Sequence, residues 1–420
     1  MRWVIAATIG IWLVGACGAR ADQRAWVELT ANGPQARVET TDPRCPSLDL
    51  DGRMAPMQLR AGPDGAFPTN LCQLDIPAGT KRASLGLQYL PLPHGPPQRI
   101  LIFGDTGCRL KGQAVQDCND PKAWPFPLVV RRALERKPDL VIHVGDYYYR
   151  ETPCPEGHAG CAGSPYGDAW PTWKAEFFDP ARPLLAAAPW VFVRGNHESC
   201  VRGGKGWFRQ LDAGPRVLSC PAMSAPFRVA LGDLNLYVLD SADAEDRSTP
   251  SEAVAAVSAQ FNAIKGELAV APGWILTHRP IWALTPIARI GPVGPLELSL
   301  NATEEAAVKD RDLAGAQMIV SGHVHHFAAY DFYGRRPAQL VAGTGGDIGE
   351  DADTPVIREN EVQIDNLSAH RITFERYGYL LLDRAGDDWV GAFWDLKDRV
   401  VAACRLHQRR LNCVPAGAAR

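Results

Sequence analysis

Asp139-Leu140-Val141-Ile142-His143-Val144-Gly145-Asp146-Tyr147-Tyr148-Tyr149 contains a short apolar run that stops at a glycine and an aspartate. A run of that length, closed in that way, reads as a buried strand whose carboxyl end hands a carboxylate to a loop. The arrangement recurs along the chain. Arg99 to Phe103 runs into Gly104-Asp105, and Trp190 to Val193 into Gly195-Asn196-His197-Glu198. Trp274 to Leu276 leads to Thr277-His278, and Gln317 to Val320 to Gly322-His323-Val324-His325. Leu234 to Leu239 is a further apolar run. Helical spacing occupies Phe126 to Lys137, Glu252 to Leu268 and Glu304 to Leu313. Such an order predicts an α/β fold, in which ligands bind outside the carboxyl ends of the strands. Five polar loops therefore come to one edge of a sheet. Tyr377 to Leu382 and Trp389 to Trp394 flank a Gly-Asp-Asp turn and predict a hairpin.

Outward from these runs, the chain divides by composition. Residues 22–96 are rich in Pro and Gly, with short alternating stretches, and predict a small β-rich domain. The Pro-rich segment 91–97 reads as a linker to a catalytic body over 97–400, followed by a tail, 401–420, that carries Cys404 and Cys413. Arg2 and the apolar run from Trp3 to Ala16 predict a signal peptide over 1–21, cleaved after Ala19-Arg20-Ala21. Val14-Gly15-Ala16-Cys17 offers a competing lipobox, which would make the protein a lipoprotein anchored at Cys17. The run is shorter than the roughly 20 residues of a spanning helix, which weighs against an uncleaved anchor. Setting Cys17 aside, ten cysteines fall into the sequential couples 45–72, 108–118, 154–161, 200–220 and 404–413. Short loops close at low entropic cost, so these couples predict disulfides in an oxidising, periplasmic or extracellular, compartment. With 46% hydrophobic and 22% charged residues, the 420-residue chain can bury a full core. A formal charge of −3 offers no basic surface for nucleic acid.

The loops supply Asp105, Asp146, Asn196, His278, His323 and His325, almost all of them ligand types for hard metal ions. Singly, each is compatible with a turn, a cap or a packed histidine. His323 and His325, two residues apart at one strand end, point the same way. Together the clusters predict two cations that share a carboxylate, clamp a phosphate and activate water for in-line attack.

The order GD…GD…GNHE…H…GHVH resembles the calcineurin-like metallophosphoesterase superfamily. Its finer pattern is similar to the purple acid phosphatases, whose motifs are GDxG, GDxxY, GNH(D/E), VxxH and GHxH. Most calcineurin-like enzymes carry a histidine where this chain has Gly107, and the purple acid phosphatases compensate with a tyrosine at the position of Tyr149. The resemblance, over residues 99–346, implies a four-layer αββα core of two packed mixed sheets flanked by helices. It implies that Asp105, Asp146, Tyr149 and His325 hold one metal, Fe(III), and that Asp146, Asn196, His278 and His323 hold the second, Fe, Zn or Mn. Asp146 would bridge them at the catalytic centre. His197, beside the metal-binding Asn196, would contact the phosphate or protonate the leaving group. The fourth motif begins with Ile275 rather than Val, and Arg279-Pro280-Ile281-Trp282 follows His278 where the family tends to carry further histidines. Arg279 and His326 become candidate phosphate contacts instead. The expected activity is hydrolysis of phosphate monoesters on a small phosphorylated substrate. The alternatives are a diesterase or nucleotidase on the same scaffold, or a non-catalytic phosphate-binding protein.

Overall fold

A computed structural model describes residues 22–217, 219–289, 295–347 and 356–418. The expected signal peptide, its cleavage sites and Cys17 lie outside the described residues. Among those described, the strands build two large sheets. Three expected strands, Arg99–Phe103, Leu140–His143 and Trp190–Phe192, run parallel at the heart of the first sheet. In the second, Leu234–Val238, Gly273–Leu276, Ala316–Ser321 and Ala338–Ala342 are parallel neighbours.

Side chains alternate across each strand, and this alternation assembles the layers. Ile100, Ile102, Leu140 and Ile142 point inward to meet Leu236, Trp274, Leu276, Met318 and Val320 from the other sheet. Leu101, Phe103 and Val141 point outward, against Phe126, Val129 and Val130 of the helix Phe126–Glu135. On the far side, Tyr237, Ile275 and Ile319 pack on Val257, Phe261, Ile264 and Leu268 of the helix Ser251–Val270. The result is the expected four-layer α/β arrangement of helices, sheet, sheet and helices. The helix read from Glu304 to Leu313 is shorter, Ala302–Val308. Asn301 caps it by accepting from the Glu304 amide at 2.9 Å, and Asp310, at φ 60°, takes the left-handed conformation that ends helices.

Residues 22–96 are β-rich, but the composition break at 91–97 does not separate them from the core. Gln23–Thr30 lies parallel to Trp190–Phe192, and Gly33–Thr40, Asn70–Asp75 and Gln58–Ala61 continue the first sheet beyond it. The remaining strands of the region form a separate four-stranded sheet. At the other edge, the tail residues Val400–His407 and Arg410–Pro415 extend the same large sheet past the Gly378–Ala385/Asp388–Asp395 hairpin. A growing sheet leaves an edge of unpaired backbone groups, and chain from either terminus satisfies them here. The five couples are disulfides, with Cα separations between 4.0 and 5.7 Å.

A buried ion pair joins the N-terminal strands to the body. Arg37 and Glu28, both under 2% exposed, meet at 2.5 Å. Arg37 also donates to the carbonyls of Gln210 and Asp212, each at 2.7 Å. Removing one partner of such a pair leaves a buried charge uncompensated. Arg37→Ala should therefore cost roughly 3–5 kcal/mol in a urea titration, and replacing both residues by Met should recover most of it. A single variant close to parent stability would show that the pair does not hold the strands.

Candidate metal centre

The strand ends converge as the spacing required. Asp105, Asp146 and His323 adopt left-handed backbone conformations, at φ 57°, 61° and 68°. Such positions cost about 1–3 kcal/mol each in a non-glycine residue and persist only where surroundings impose them. Here the Asp105 amide donates to the Gly145 carbonyl at 2.9 Å, and the His323 amide to Asp105 Oδ2 at 3.1 Å. The Glu198 carboxylate clamps the second loop, accepting from the amides of Asp146, Tyr147, Tyr148 and Gly195 at 2.8–3.1 Å.

Two donor sets result. Tyr149 Oη lies 3.2 Å from Asp105 Oδ1, 2.8 Å from Asp146 Oδ2 and 3.2 Å from His325 Nε2. Asn196 Oδ1 lies 2.8 Å from His323 Nδ1 and 3.0 Å from His278 Nε2, and His278 Nε2 stands 3.2 Å from Asp146 Oδ2. Ligand atoms of Asp146, His278 and His323 all fall within 4.8 Å of one another. Asp146 Oδ2 thus borders both sets, the place a bridging ligand occupies.

Each histidine is fixed from behind. His278 Nδ1 donates to the Val144 carbonyl at 2.7 Å. His323 Nε2 faces Asp246 Oδ2 at 2.9 Å, and His325 Nδ1 faces Asp347 Oδ2 at 3.1 Å. An acceptor on one ring nitrogen sets the tautomer and turns the other toward the site, the arrangement usual for metal-binding imidazoles.

The electrostatics fit cations. Burial disfavours charge on His278, yet Asp146 and then Asp105 raise it to about 9. Burial likewise opposes charge on His325, and Asp347 and Asp105 overcome it, again to about 9. Two imidazoles thus hold protons where the carboxylates call for positive charge. Burial, with Asp146 and Asp105 adding to it, pushes the Tyr149 phenol well above its usual range, so a strongly charged cation is needed to displace its proton. The donors present, carboxylate, phenol, amide oxygen and imidazole, suit hard ions.

Gly107 explains the tyrosine. A side-chain carbon at 107 would fall 2.4 Å from the Tyr149 ring and 2.7 Å from Glu176 Oε1. The space beside Gly107 is filled by the Tyr149 ring. Glu176 aligns both, accepting from the Cys108 amide at 2.7 Å and the Tyr149 amide at 2.9 Å.

The candidate substrate contacts are placed unequally. His197 is buried with its ring 3.7 Å, centroid to centroid, from that of Tyr149, and its Nε2 lies 3.9 Å from Asp146 Oδ2. Glu151 Oε1 lies 3.1 Å from its Nδ1, Arg202 Nη2 lies 2.5 and 2.7 Å from Nδ1 and Nε2, and burial draws the ring down to about 4, so its proton-donating imidazolium forms toward acid pH. Arg279 stands 3.1 Å from His323 Nε2 but is engaged by Asp246 at 2.6 Å. His326 is buried, with no hydrogen-bond partner for Nε2 among the described residues. Sequence reasoning missed Asp246, Asp347, Glu151, Arg202, Glu176 and the role of Glu198. Only Asp347 left a signal, since Thr344-Gly345-Gly346-Asp347 follows another apolar strand.

The family model for calcineurin-like phosphoesterases matches residues 98–327, more than half of the chain. Among solved structures, a purple acid phosphatase, PPD1, from yellow lupin (Lupinus luteus) seeds aligns over 94% of this chain and 74% of its own. It shows 12% identity and a TM-score of 0.56. PhoD aligns over 94% of this chain and 92% of its own, with 12% identity and a TM-score of 0.54. At such identity these likenesses describe the fold. No curated protein matches the chain.

The steric exclusion between positions 107 and 149 is testable. Gly107→Ala should lower stability by roughly 1–3 kcal/mol through overpacking, and adding Tyr149→Ala should return part of it. Thermal melting of the two variants decides the point, and a Gly107→Ala protein as stable as the parent would disprove the close fit.

Proposed function

We propose, from the premise that this chain belongs to the calcineurin-like phosphoesterase family and so hydrolyses ester bonds, that it is an exported two-metal phosphatase acting on phosphate monoesters. The observation that carries this reading is the Gly107/Tyr149 exchange. Tyr149 Oη touches Asp105, Asp146 and His325 at 2.8–3.2 Å, and there is no room for a ligand at 107. A phenolate is a hard donor that favours Fe(III), which assigns ferric iron to the set Asp105, Asp146, Tyr149 and His325. Asn196, His278, His323 and the shared Asp146 would hold Fe, Zn or Mn. The named role of the lupin protein, purple acid phosphatase, accords with this assignment. Five disulfides support export, because such bonds persist in oxidising compartments.

When bound, a pair of such cations neutralises phosphate charge and lowers the pKa of water far enough for attack at moderate pH. The chain's own residues orient the rest. Asp146 holds the two sets together. His197, steadied by Glu151, Arg202 and the Tyr149 ring, stands beside Asp146 to contact the phosphate or the leaving oxygen. Asn196 and Arg279 complete the expected contacts on the substrate.

The test separates holding metal from assisting chemistry. The iron-loaded protein should absorb visible light through tyrosinate-to-iron charge transfer, and Tyr149→Phe should bleach it. Asn196→Ala should lose metal from the second set. His197→Ala should keep both metals yet lose roughly 10²–10⁴-fold in rate, the scale of a positioned proton donor. The loss should be greater for alkyl than for activated aryl phosphates. Metal analysis and a panel of monoesters, diesters and nucleotides supply the readouts. Colourless, iron-free but fully active protein would reject the ferric assignment, and preferred turnover of diesters would reject the monoester reading.

A further inference from the structure

Arg109 is not one of the candidate ligands, yet it touches one of them, Tyr149, directly and reaches another, His325, through Asp347. Its guanidinium carbon lies 4.8 Å from the centroid of the Tyr149 ring. Its Nε donates to both oxygens of Asp347, at 3.2 and 3.1 Å, and its Nη2 pairs with Oδ2. That Oδ2 stands 3.1 Å from His325 Nδ1. Asp347 is fully buried, and the Arg109 side chain is 21% exposed.

The position is built rather than incidental. Arg109 follows Cys108 of the 108–118 disulfide, and Gln116, inside that loop, accepts from the Arg109 amide at 3.0 Å. The Gln116 side chain also donates to the Gly346 carbonyl at 2.8 Å, next to Asp347. Loop, arginine and carboxylate are therefore fixed to one another.

The geometry points to Arg109 as a positioning residue that tunes the metal held by Tyr149 and His325, an inference that rests on the ferric reading above. It acts through two arms of the same sign. A cation over the face of a phenolate stabilises the electron density of the ring and leaves less for donation to a metal. A cation paired with Asp347 draws the carboxylate's charge away from the His325 N–H, which makes that imidazole a weaker donor. Weaker donation disfavours ferric relative to ferrous iron. Arg109 thus holds the reduction potential of this site above the value its ligands alone would set.

The full chain, loaded with iron, decides the matter by spectroelectrochemistry. Arg109→Met should lower the midpoint potential while iron content and the charge-transfer band persist. Arg109→Gln, a neutral residue that keeps a hydrogen bond to Asp347, should lower it as well and serves if the Met variant does not fold. Arg109→Lys, which restores the charge, should return the potential toward that of the parent. An unmoved potential in the neutral variants, or a Lys variant as low as they are, overturns the inference while the ferric reading stands. A parent protein without the charge-transfer band removes that reading, and this inference with it.

Discussion

Asp146 is a carboxylate with 1% exposure at the end of a buried strand, held in a left-handed conformation. Taking such a charge from water costs several kcal/mol unless counter-charge and hydrogen bonds meet it. One oxygen receives the His197 amide at 2.8 Å, while the other borders Tyr149 and His278. The charges and hydrogen bonds of His278 and His197 outweigh burial and hold the group well below the usual carboxylate range. The remaining parts of the centre are arranged around that requirement. Gly145 precedes it at φ 101°, where a side chain would strike the His278 ring. Glu198 fixes its backbone, and strands from both sheets bring nitrogen and oxygen donors to its two sides.

This concentration of demand at strand ends explains how much of the protein could be read before folding. A metal-binding residue type at the close of an apolar run, after a glycine at Asp105, Asp146, Asn196 and His323, is a local pattern, and it singled out these four together with His278 and His325. Their convergence follows from the parallel strands. The supporting residues were not legible because their partners lie far along the chain. Asp246 reaches His323 across 77 positions, and its own neighbourhood carries no pattern. Glu176 sits in an aromatic helical segment and resembles a surface acid until Cys108 and Tyr149 fold onto it. The sheet edges were hidden for a different reason. Backbone pairing is indifferent to composition, so the Pro-rich stretch at 91–97 looked like a boundary although strands on either side of it share one sheet.

Gly107 and Tyr149 form a single steric unit. The Tyr149 ring occupies the volume next to Gly107, and Glu176 binds the amides flanking both. A side chain at 107 would have to displace the ring, and the tyrosine ring could not sit as it does without the glycine. The two positions are therefore coupled by packing rather than independent of one another.

The N-terminal strands extend this logic beyond the centre. Arg60 donates to the carbonyls of Phe208, Arg209 and Asp212, and Arg37 to those of Gln210 and Asp212. These carbonyls belong to the helix Gly204–Gln210 and its exit, the end at which carbonyls lack intrahelical partners. The same helix follows directly on the loop that carries His197 and Arg202, and its Gly203 amide donates to the His197 carbonyl at 2.9 Å. Arginines on the added strands thus act as C-terminal caps for the helix that steadies the His197 loop. Residues 22–96, joined to the first sheet, thus add a second support to the His197 loop beside the direct hydrogen bond from the His197 amide to Asp146.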